Sequence, residues 1–141
     1  MDWKLCVQVL KHENFQIRVP NDIVVIRKEV RSWSAGIGLG LIEQTKVITA
    51  ASELARNTLE YGGGGTLLLE AVQSEDRRAG IRLVFEDQGP GIANLELALT
   101  DGYTSGTGLG LGLTGSRRLM SEFEISSEVG KGTRVVTTKW K

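Results

Sequence analysis

The chain contains 141 residues, and its 17 Lys and Arg residues balance its 17 Asp and Glu residues, so the formal net charge is zero. This length supports one compact domain with a single core and excludes a multidomain enzyme. The balanced charge excludes the positive field that would attract nucleic acid or an anionic membrane. Glycine is the outlier, with 18 residues where the usual share of about 7% would give roughly half as many.

Cysteine and histidine occur once each, as Cys6 and His12. These counts exclude an intrachain disulfide and a zinc site. The first residues are too polar for a signal peptide, and the longest stretch of low polarity, residues 35–42, is far shorter than a membrane span. We therefore expect a soluble protein in the reducing cytoplasm.

The predicted elements begin with two short strands and a helix. Apolar and polar residues alternate through residues 5–10 and 15–19, around the polar triplet 12–14, which predicts an opening hairpin. A first helix follows the cap at residues 20–22 and ends at the glycines of residues 36–40.

The second helix, from about residue 43 to residue 61, has the clearest apolar stripe and stops at four glycines, residues 62–65. The later elements follow in order: strands at 66–72 and 81–86, a short helix at 94–100, a mobile loop at 101–110, a helix at 113–121, and strands at 124–128 and 133–140. About six strands, mostly linked by hairpins, predict an α+β fold. We expect a two-layer α/β sandwich in one domain, with a mixed, mainly antiparallel sheet covered on one face by helices.

Glu53 and Asn57 lie four residues apart on the second helix, so their side chains share a face away from the apolar stripe. The Asn oxygen can ligate Mg²⁺, and the Glu carboxylate can orient or deprotonate a hydroxyl. The alternative is a solvated helix face with an ordinary i,i+4 contact.

Asp87 stands where a predicted strand ends, before a turn in which Gly89 and Gly91 flank a proline. Its carboxylate can accept a hydrogen bond from an exocyclic amine, and the glycines let a flat ring approach the backbone. This arrangement suits an adenine pocket. A plain turn that begins at Asp87 is the alternative.

Residues 101–115 contain six glycines and lead into a helix. Bare backbone N–H groups at a helix N-terminus favour phosphate, although glycine clusters also serve as hinges. Residues 110–115 match the dinucleotide pattern G-x-G-x-x-G, but the apolar strand that this pattern requires does not precede them. A Walker A loop and a nucleophile elbow are also absent from the sequence.

Four segments, taken together and in this order, resemble the boxes of the GHKL (Bergerat-fold) ATPases: residues 53–57, 87–92, 106–112 and 130–133. The resemblance covers nearly the whole chain. Residues 52–57, 101–105 and 117–123 and the closing Lys139-Trp140 are similar to the RsbT-type switch kinases of bacterial stressosomes. The related anti-sigma-factor kinases match less well.

This resemblance implies a protein serine/threonine kinase that uses ATP and Mg²⁺. Glu53 would act as base or orienting group, Asn57 would hold Mg²⁺, and Asp87 would bind the adenine amino group. The remaining nucleotide contacts implied by the resemblance are Gly89 and Gly91 in the adenine pocket, Thr133 behind it, and the phosphate lid of Gly106, Gly108, Gly110 and Gly112. Arg56 is a weaker candidate for a phosphate contact.

The resemblance also implies partners. The substrate would be Ser or Thr of a small STAS-domain protein, either a stressosome scaffold or an anti-sigma antagonist. The released kinase would bind and activate a metal-dependent (PPM-type) serine phosphatase. The alternatives are an anti-sigma-factor kinase that sequesters a sigma factor in a nucleotide-dependent way, and a degenerate module that keeps the fold without ATP.

Overall fold

The computed structural model describes residues 7–99 and 109–141. Its strands are β1 (Gln8–Ile17), β2 (Gly65–Gln73), β3 (Ala79–Asp87), β4 (Glu122–Glu128) and β5 (Gly132–Trp140). Its helices are α1 (Pro20–Gly36), α2 (Leu41–Glu60), α3 (Leu95–Ala98) and α4 (Leu109–Leu119). No helix in the described ranges is long and apolar enough to cross a bilayer.

The strands form one sheet in the order β1-β2-β3-β5-β4. Every neighbouring pair of described strands is antiparallel. The sequence had suggested a mixed, mainly antiparallel sheet, and the prediction of a mixed sheet is therefore wrong for the described strands. Tight turns join β2 to β3 and β4 to β5, and such hairpins are antiparallel by construction. The predicted α+β sandwich is therefore confirmed, with five strands in place of about six.

The predicted opening hairpin is wrong, because β1 is one continuous strand. The polar residues expected to form its turn pair with β2 instead: His12 lies opposite Glu70, and Asn14 lies opposite Leu68. The register of the β1–β2 pairing shifts between Val9 and Lys11. Because of such a shift, apolar and polar residues do not alternate along the whole strand, and the sequence therefore suggested two short strands in place of one. An edge strand with exposed side chains also tolerates the polar run.

Helices α1 and α4 pack on either side of α2, and α2 contacts β1, β2 and β3. Apolar side chains at helical spacing on α1 and α2 meet the inward-facing positions of the strands. The fully buried members of this core include Ile17, Ile26, Val30, Val47, Leu54, Leu67, Leu69, Ile81, Leu83 and Phe85. The other face of the sheet is free of helices within the described chain.

Lys139 on β5 ties the helices to the sheet. Its buried Nζ lies 2.7 Å from Glu43 Oε2 on α2 and donates to the Leu119 carbonyl at the end of α4 at 2.9 Å. The hydrogen bond from Lys139, supported by Lys46, holds the pKa of the Glu43 carboxyl below its usual value. This lysine joins the last turn of α4 to the first turn of α2. Gly112, near the start of α4, lies beside Glu53 and Asn57, farther along α2, so the two helices run antiparallel.

Candidate functional site

A narrow cavity lies where α2, α4 and the ends of β3 and β5 meet. It encloses about 20 Å³, room for roughly one water molecule. Its lining is mostly apolar, with a few polar side chains, and consists of Leu54, Asn57, Thr58, Tyr61, Phe85, Asp87, Ile92, Leu113, Thr133 and Val135. The structure therefore brings together three predicted site residues that are far apart in the sequence: Asn57, Asp87 and Thr133.

Asp87 is the polar group at the end of β3. Burial raises the pKa of its carboxyl, and hydrogen bonds from the backbone N–H groups of Gly89 and Thr133 oppose that rise. The Gly89 N–H donates to Asp87 Oδ1 at 2.9 Å, and Thr133 lies opposite Asp87 in the β3–β5 pairing. A carboxylate held in this way can accept a hydrogen bond from a ligand amine in the cavity.

Two glycines allow the backbone around Asp87 to pack closely. Gly91 has a φ of +77°, and a Cβ there would overlap the Glu128 carbonyl oxygen. Gly132 has a φ of +114°, and a Cβ there would overlap the carbonyl oxygen of Asp87 itself. Both positions therefore require glycine for conformation and for space.

Glu53 and Asn57 lie one turn apart on α2, next to the first turn of α4. A Cβ built on Gly112 would lie 3.0 Å from Asn57 Nδ2 and 3.4 Å from Glu53 Oε2. The Asn57 Nδ2 atom is buried and has no hydrogen-bond partner within residues 7–99 and 109–141. The predicted face of α2 is thus partly covered by α4, and it contains an unsatisfied amide.

Arg56 pairs with Glu53. Its Nη1 donates to Glu53 Oε1 at 2.9 Å, and both side chains are more than 40% exposed. The pair resembles other i,i+3 surface ion pairs on helices. Arg56 therefore contacts Glu53, the residue predicted to act as catalytic base, and it does not line the cavity.

The glycine-rich segment is described only in part. Gly106 and Gly108 lie outside the described residues. The helix predicted from residue 113 begins earlier, at Leu109, so Gly110 and Gly112 lie in the first turns of α4. Residues 110–115 all lie within this helix, unlike the strand-to-helix turn that the dinucleotide pattern requires.

Sequence reasoning missed two residues of the site. The Tyr61 hydroxyl donates to the Gly91 carbonyl at 2.8 Å, and the Ser127 hydroxyl accepts from the Ile92 N–H at 2.7 Å. Both fix the turn that follows Asp87. Tyr61 was predicted only as the end of a helix, and nothing in the pattern of β4 distinguishes Ser127 from its neighbour Ser126.

Residues 42–141 match the family described as "Histidine kinase-, DNA gyrase B-, and HSP90-like ATPase". The chain belongs to this family. The matched residues include Glu53, Asn57, Asp87 and Thr133. They also include every described element from α2 to β5, except the first residue of α2.

Two relatives show which members of this family the chain is similar to. The serine/threonine-protein kinase RsbT of Bacillus subtilis (strain 168) is 40% identical over 119 residues, which cover 84% of this chain and 89% of RsbT. An anti-sigma F factor of Clostridium kluyveri is 30% identical over 116 residues, which cover 80% of this chain and 82% of that protein. These relationships confirm the identification of an RsbT-type serine/threonine kinase, related to anti-sigma factors.

Two solved structures share the fold. The RsbU and RsbW domains of Rv1364c from Mycobacterium tuberculosis match with a TM-score of 0.62 and 21% identity, over 92% of this chain and 31% of that one. The SiaB-SiaC complex from Pseudomonas aeruginosa matches with a TM-score of 0.57 and 17% identity, over 94% of this chain and 91% of that one. At these identities the likeness supports the fold alone, and it agrees with the predicted GHKL sandwich.

Proposed function

We propose that residues 1–141 form a single GHKL domain that transfers the γ-phosphate of ATP to a protein serine or threonine in the cytoplasm. One observation carries the proposal: among the described residues, the buried amide nitrogen of Asn57 has no partner. Asn57 lines the cavity that contains Asp87, and its amide and the Glu53 carboxylate both lie beside Gly112. An unpaired buried polar group is costly, so a ligand that satisfies it gains affinity.

The adenine base would occupy the cavity, with its amino group donating to Asp87. Gly89 and Gly91 would shape the pocket, and Thr133 would form its back wall. Because the cavity encloses only about 20 Å³, Leu113 and the first turn of α4 would move outward when the base binds. The phosphates would then meet backbone N–H groups of the lid glycines, Gly106, Gly108, Gly110 and Gly112.

Mg²⁺ fits the donor set around Asn57. Rotation of the amide by half a turn exchanges Nδ2 with Oδ1 and places a hard oxygen ligand in the buried position. In the described part of the chain, no group of three or more His, Cys, Asp or Glu residues could hold a metal alone, so nucleotide phosphates would complete the coordination. When bound, the ion would neutralise the charge of the transferring phosphoryl group.

Glu53 would accept the proton of the substrate hydroxyl. As the hydroxyl oxygen bonds to the γ-phosphorus, the bond from that phosphorus to the β–γ bridging oxygen breaks, and ADP leaves. Since Arg56 engages Glu53 Oε1, the second oxygen, Oε2, is the one that approaches α4. Positioning and charge stabilisation supply most of the catalysis in such a reaction, so no covalent nucleophile is needed.

The protein substrate in this proposal is a STAS-domain scaffold or antagonist of a stressosome pathway. The released kinase would then bind and activate a PPM-type serine phosphatase. The relationship to RsbT supports this assignment. The 30% identity to an anti-sigma F factor favours a second candidate, an anti-sigma kinase that sequesters a sigma factor when nucleotide is bound.

Radiolabelled ATP, Mg²⁺ and candidate STAS-domain proteins test the kinase assignment. We expect label on Ser or Thr of one STAS protein, and we expect Asn57→Ala and Glu53→Gln to abolish transfer. Glu60→Gln is the matched control, because Glu60 lies on the same face of α2 two turns farther along and is exposed. Loss of transfer in this control as well would remove the case for Glu53.

Two further results decide between the candidates. Co-purification of a phosphatase with the kinase supports the first candidate, whereas a sigma factor without a phosphatase supports the second. If saturating Mg-ATP at about 100 times a plausible Kd gives no thermal shift, where about 2.7 kcal/mol of stabilisation is expected, the degenerate module is correct and the proposal fails.

A further inference from the structure

The hydroxyl of Ser127 lies at the centre of three contacts behind the cavity. It accepts from the Ile92 N–H at 2.7 Å, lies 3.0 Å from the Gly132 carbonyl oxygen, and lies 2.8 Å from Thr133 Oγ1. These contacts connect the turn after Asp87 to the start of β5. Thr133 is the member of the group that also lines the cavity, beside Asp87.

The number of protons available fixes the direction of these bonds. A carbonyl oxygen only accepts, so the contact with Gly132 uses the single hydroxyl proton of Ser127. Ser127 then has no proton for Thr133, and the contact between the two hydroxyls forms only if Thr133 donates. Ser127 Oγ accepts from Ile92 and from Thr133, which uses both of its lone pairs. All three contacts are satisfied together in this arrangement alone.

The arrangement has a consequence for the cavity. Because the proton of Thr133 is directed to Ser127, Thr133 Oγ1 can offer only lone pairs to a ligand. Asp87 also offers an acceptor in its charged form. Two acceptors side by side match a base edge that carries an amino group, and they repel an edge that carries a carbonyl oxygen.

We propose that Ser127 is a positioning residue that sets Thr133 as a hydrogen-bond acceptor and thereby makes the site prefer a 6-amino purine to a 6-oxo purine. This inference rests on the proposed nucleotide site. Ser127 itself does not line the cavity, and it acts through Thr133. Without the Ser127 hydroxyl, the Thr133 proton is free to turn toward a base carbonyl.

ATP and ITP test the idea, because their bases differ at position 6 (amino or oxo) and in the protonation of N1. The dissociation constants of Mg-ATP and Mg-ITP are measured by calorimetry on the full chain without a protein substrate. We expect Ser127→Ala to lower the preference for ATP over ITP about tenfold, the size of one hydrogen bond changed from favourable to unfavourable. Ser127→Thr, which keeps the hydroxyl, should retain the preference.

Two controls separate positioning from stability. Ser126→Ala changes the adjacent serine, which is exposed and points to the other face of the sheet, so it should leave the preference unchanged. Thr133→Val removes the acceptor itself and should also reduce the preference, and adding Ser127→Ala to it should have no further effect. If Ser127→Ala folds poorly, Thr133→Val alone keeps the inference falsifiable, because a preference that Thr133→Val leaves unchanged would show that the Thr133 acceptor does not set it.

The outcomes distinguish this inference from the proposed function. If Ser127→Ala weakens ATP and ITP by the same factor, Ser127 only stabilises the turn, and the inference is overturned while nucleotide binding stands. If Ser127→Ala and Thr133→Val have additive effects on the preference for ATP over ITP, the inference is overturned as well. If the unmodified chain binds neither nucleotide, the proposed function itself fails, and the inference fails with it.

Discussion

At the end of the candidate site proposed to bind the base (the base end), Asp87, Ser127, Gly132 and Thr133 and their neighbours form hydrogen bonds with one another. At the phosphate end, around Glu53, Asn57 and Gly112, the described chain leaves a buried amide unpaired and a carboxylate in an exposed ion pair. The base end is built from paired strands, whereas the phosphate end lies between two helices. Among the described residues, the polar groups at the first end are therefore paired with one another, whereas the second end contains an unpaired buried amide.

This contrast predicts where substitutions have their effect. A change at the base end that disturbs the backbone should cost folding stability, because strand pairing and the turn share the same contacts. A change at the phosphate end should alter ligand binding or the position of α4, with less effect on the sheet. Gly132→Ala, Asp87→Asn and a matched pair of variants on α4 test the contrast, in order of decreasing expected effect.

Gly132→Ala should give the largest loss. The added Cβ would overlap the Asp87 carbonyl oxygen at a φ of +114°, so we expect the free energy of unfolding to fall by about 3 kcal/mol or more. Urea denaturation measures this change. Gly130→Ala is the control, since its φ of +82° is also positive but its Cβ would meet open space, and it should cost about 1 kcal/mol. Equal losses would show that close packing at Gly132 is unimportant.

Asp87→Asn should separate binding from stability. Loss of the charged acceptor should weaken ATP binding about 30- to 100-fold, as measured by calorimetry. At neutral pH the same variant should be more stable to unfolding than the unmodified chain. Because burial raises the pKa of Asp87 in the folded chain, its contribution to stability is fully present below its unfolded pKa and is lost as the pH rises through the folded value.

The variant should therefore gain stability relative to the unmodified chain as the pH rises from below 3.8 to 7. Urea denaturation across this range provides the measurement. A difference in stability that does not vary with pH would contradict the burial of this carboxyl. Glu75→Gln, at an exposed position in the β2–β3 turn, serves as the control for the removal of a carboxylate at the surface.

Gly112→Ala and Gly115→Ala form a matched pair on α4 with the smallest expected effect. A Cβ at Gly112 would press on Asn57 at 3.0 Å, whereas a Cβ at Gly115 would meet open space. Ala is favoured over Gly in helices, so Gly115→Ala should raise the free energy of unfolding by about 0.5 to 1 kcal/mol. Gly112→Ala should lack this gain, leaving the two variants about 0.5 to 1 kcal/mol apart. Equal stabilities would mean that α4 does not press on the Asn57 amide.

Much of the fold could be predicted because its signals are local. The stripe on α2 and its glycine stop lie within one stretch of sequence, and the structure places that helix at Leu41–Glu60, close to the predicted bounds. The turn after Asp87 could also be predicted from the order of its glycines and proline. The opening hairpin could not, because a register shift in an edge strand depends on the pairing with β2.

The candidate site divides in the same way. Glu53 and Asn57 were predicted from helical spacing and from the resemblance of their segment to a known box, and Asp87 from its place at a strand end. Ser127 and Tyr61 were missed, because a hydroxyl acquires its role only from partners that are distant in the chain. The contact of Gly112 with Asn57 likewise depends on how two helices pack.

The sequence by itself determined the order of the elements after β1, the glycine-rich turns and the family, because these depend on neighbouring residues and on short motifs. Its zero net charge also implied that any phosphate affinity must come from local donors. Only the tertiary structure decided that Thr133 lies opposite Asp87, that the Ser127 and Thr133 hydroxyls are in contact, and that Gly112 of α4 lies beside Asn57. These features arise from strand register and helix packing, which join residues that no local pattern connects.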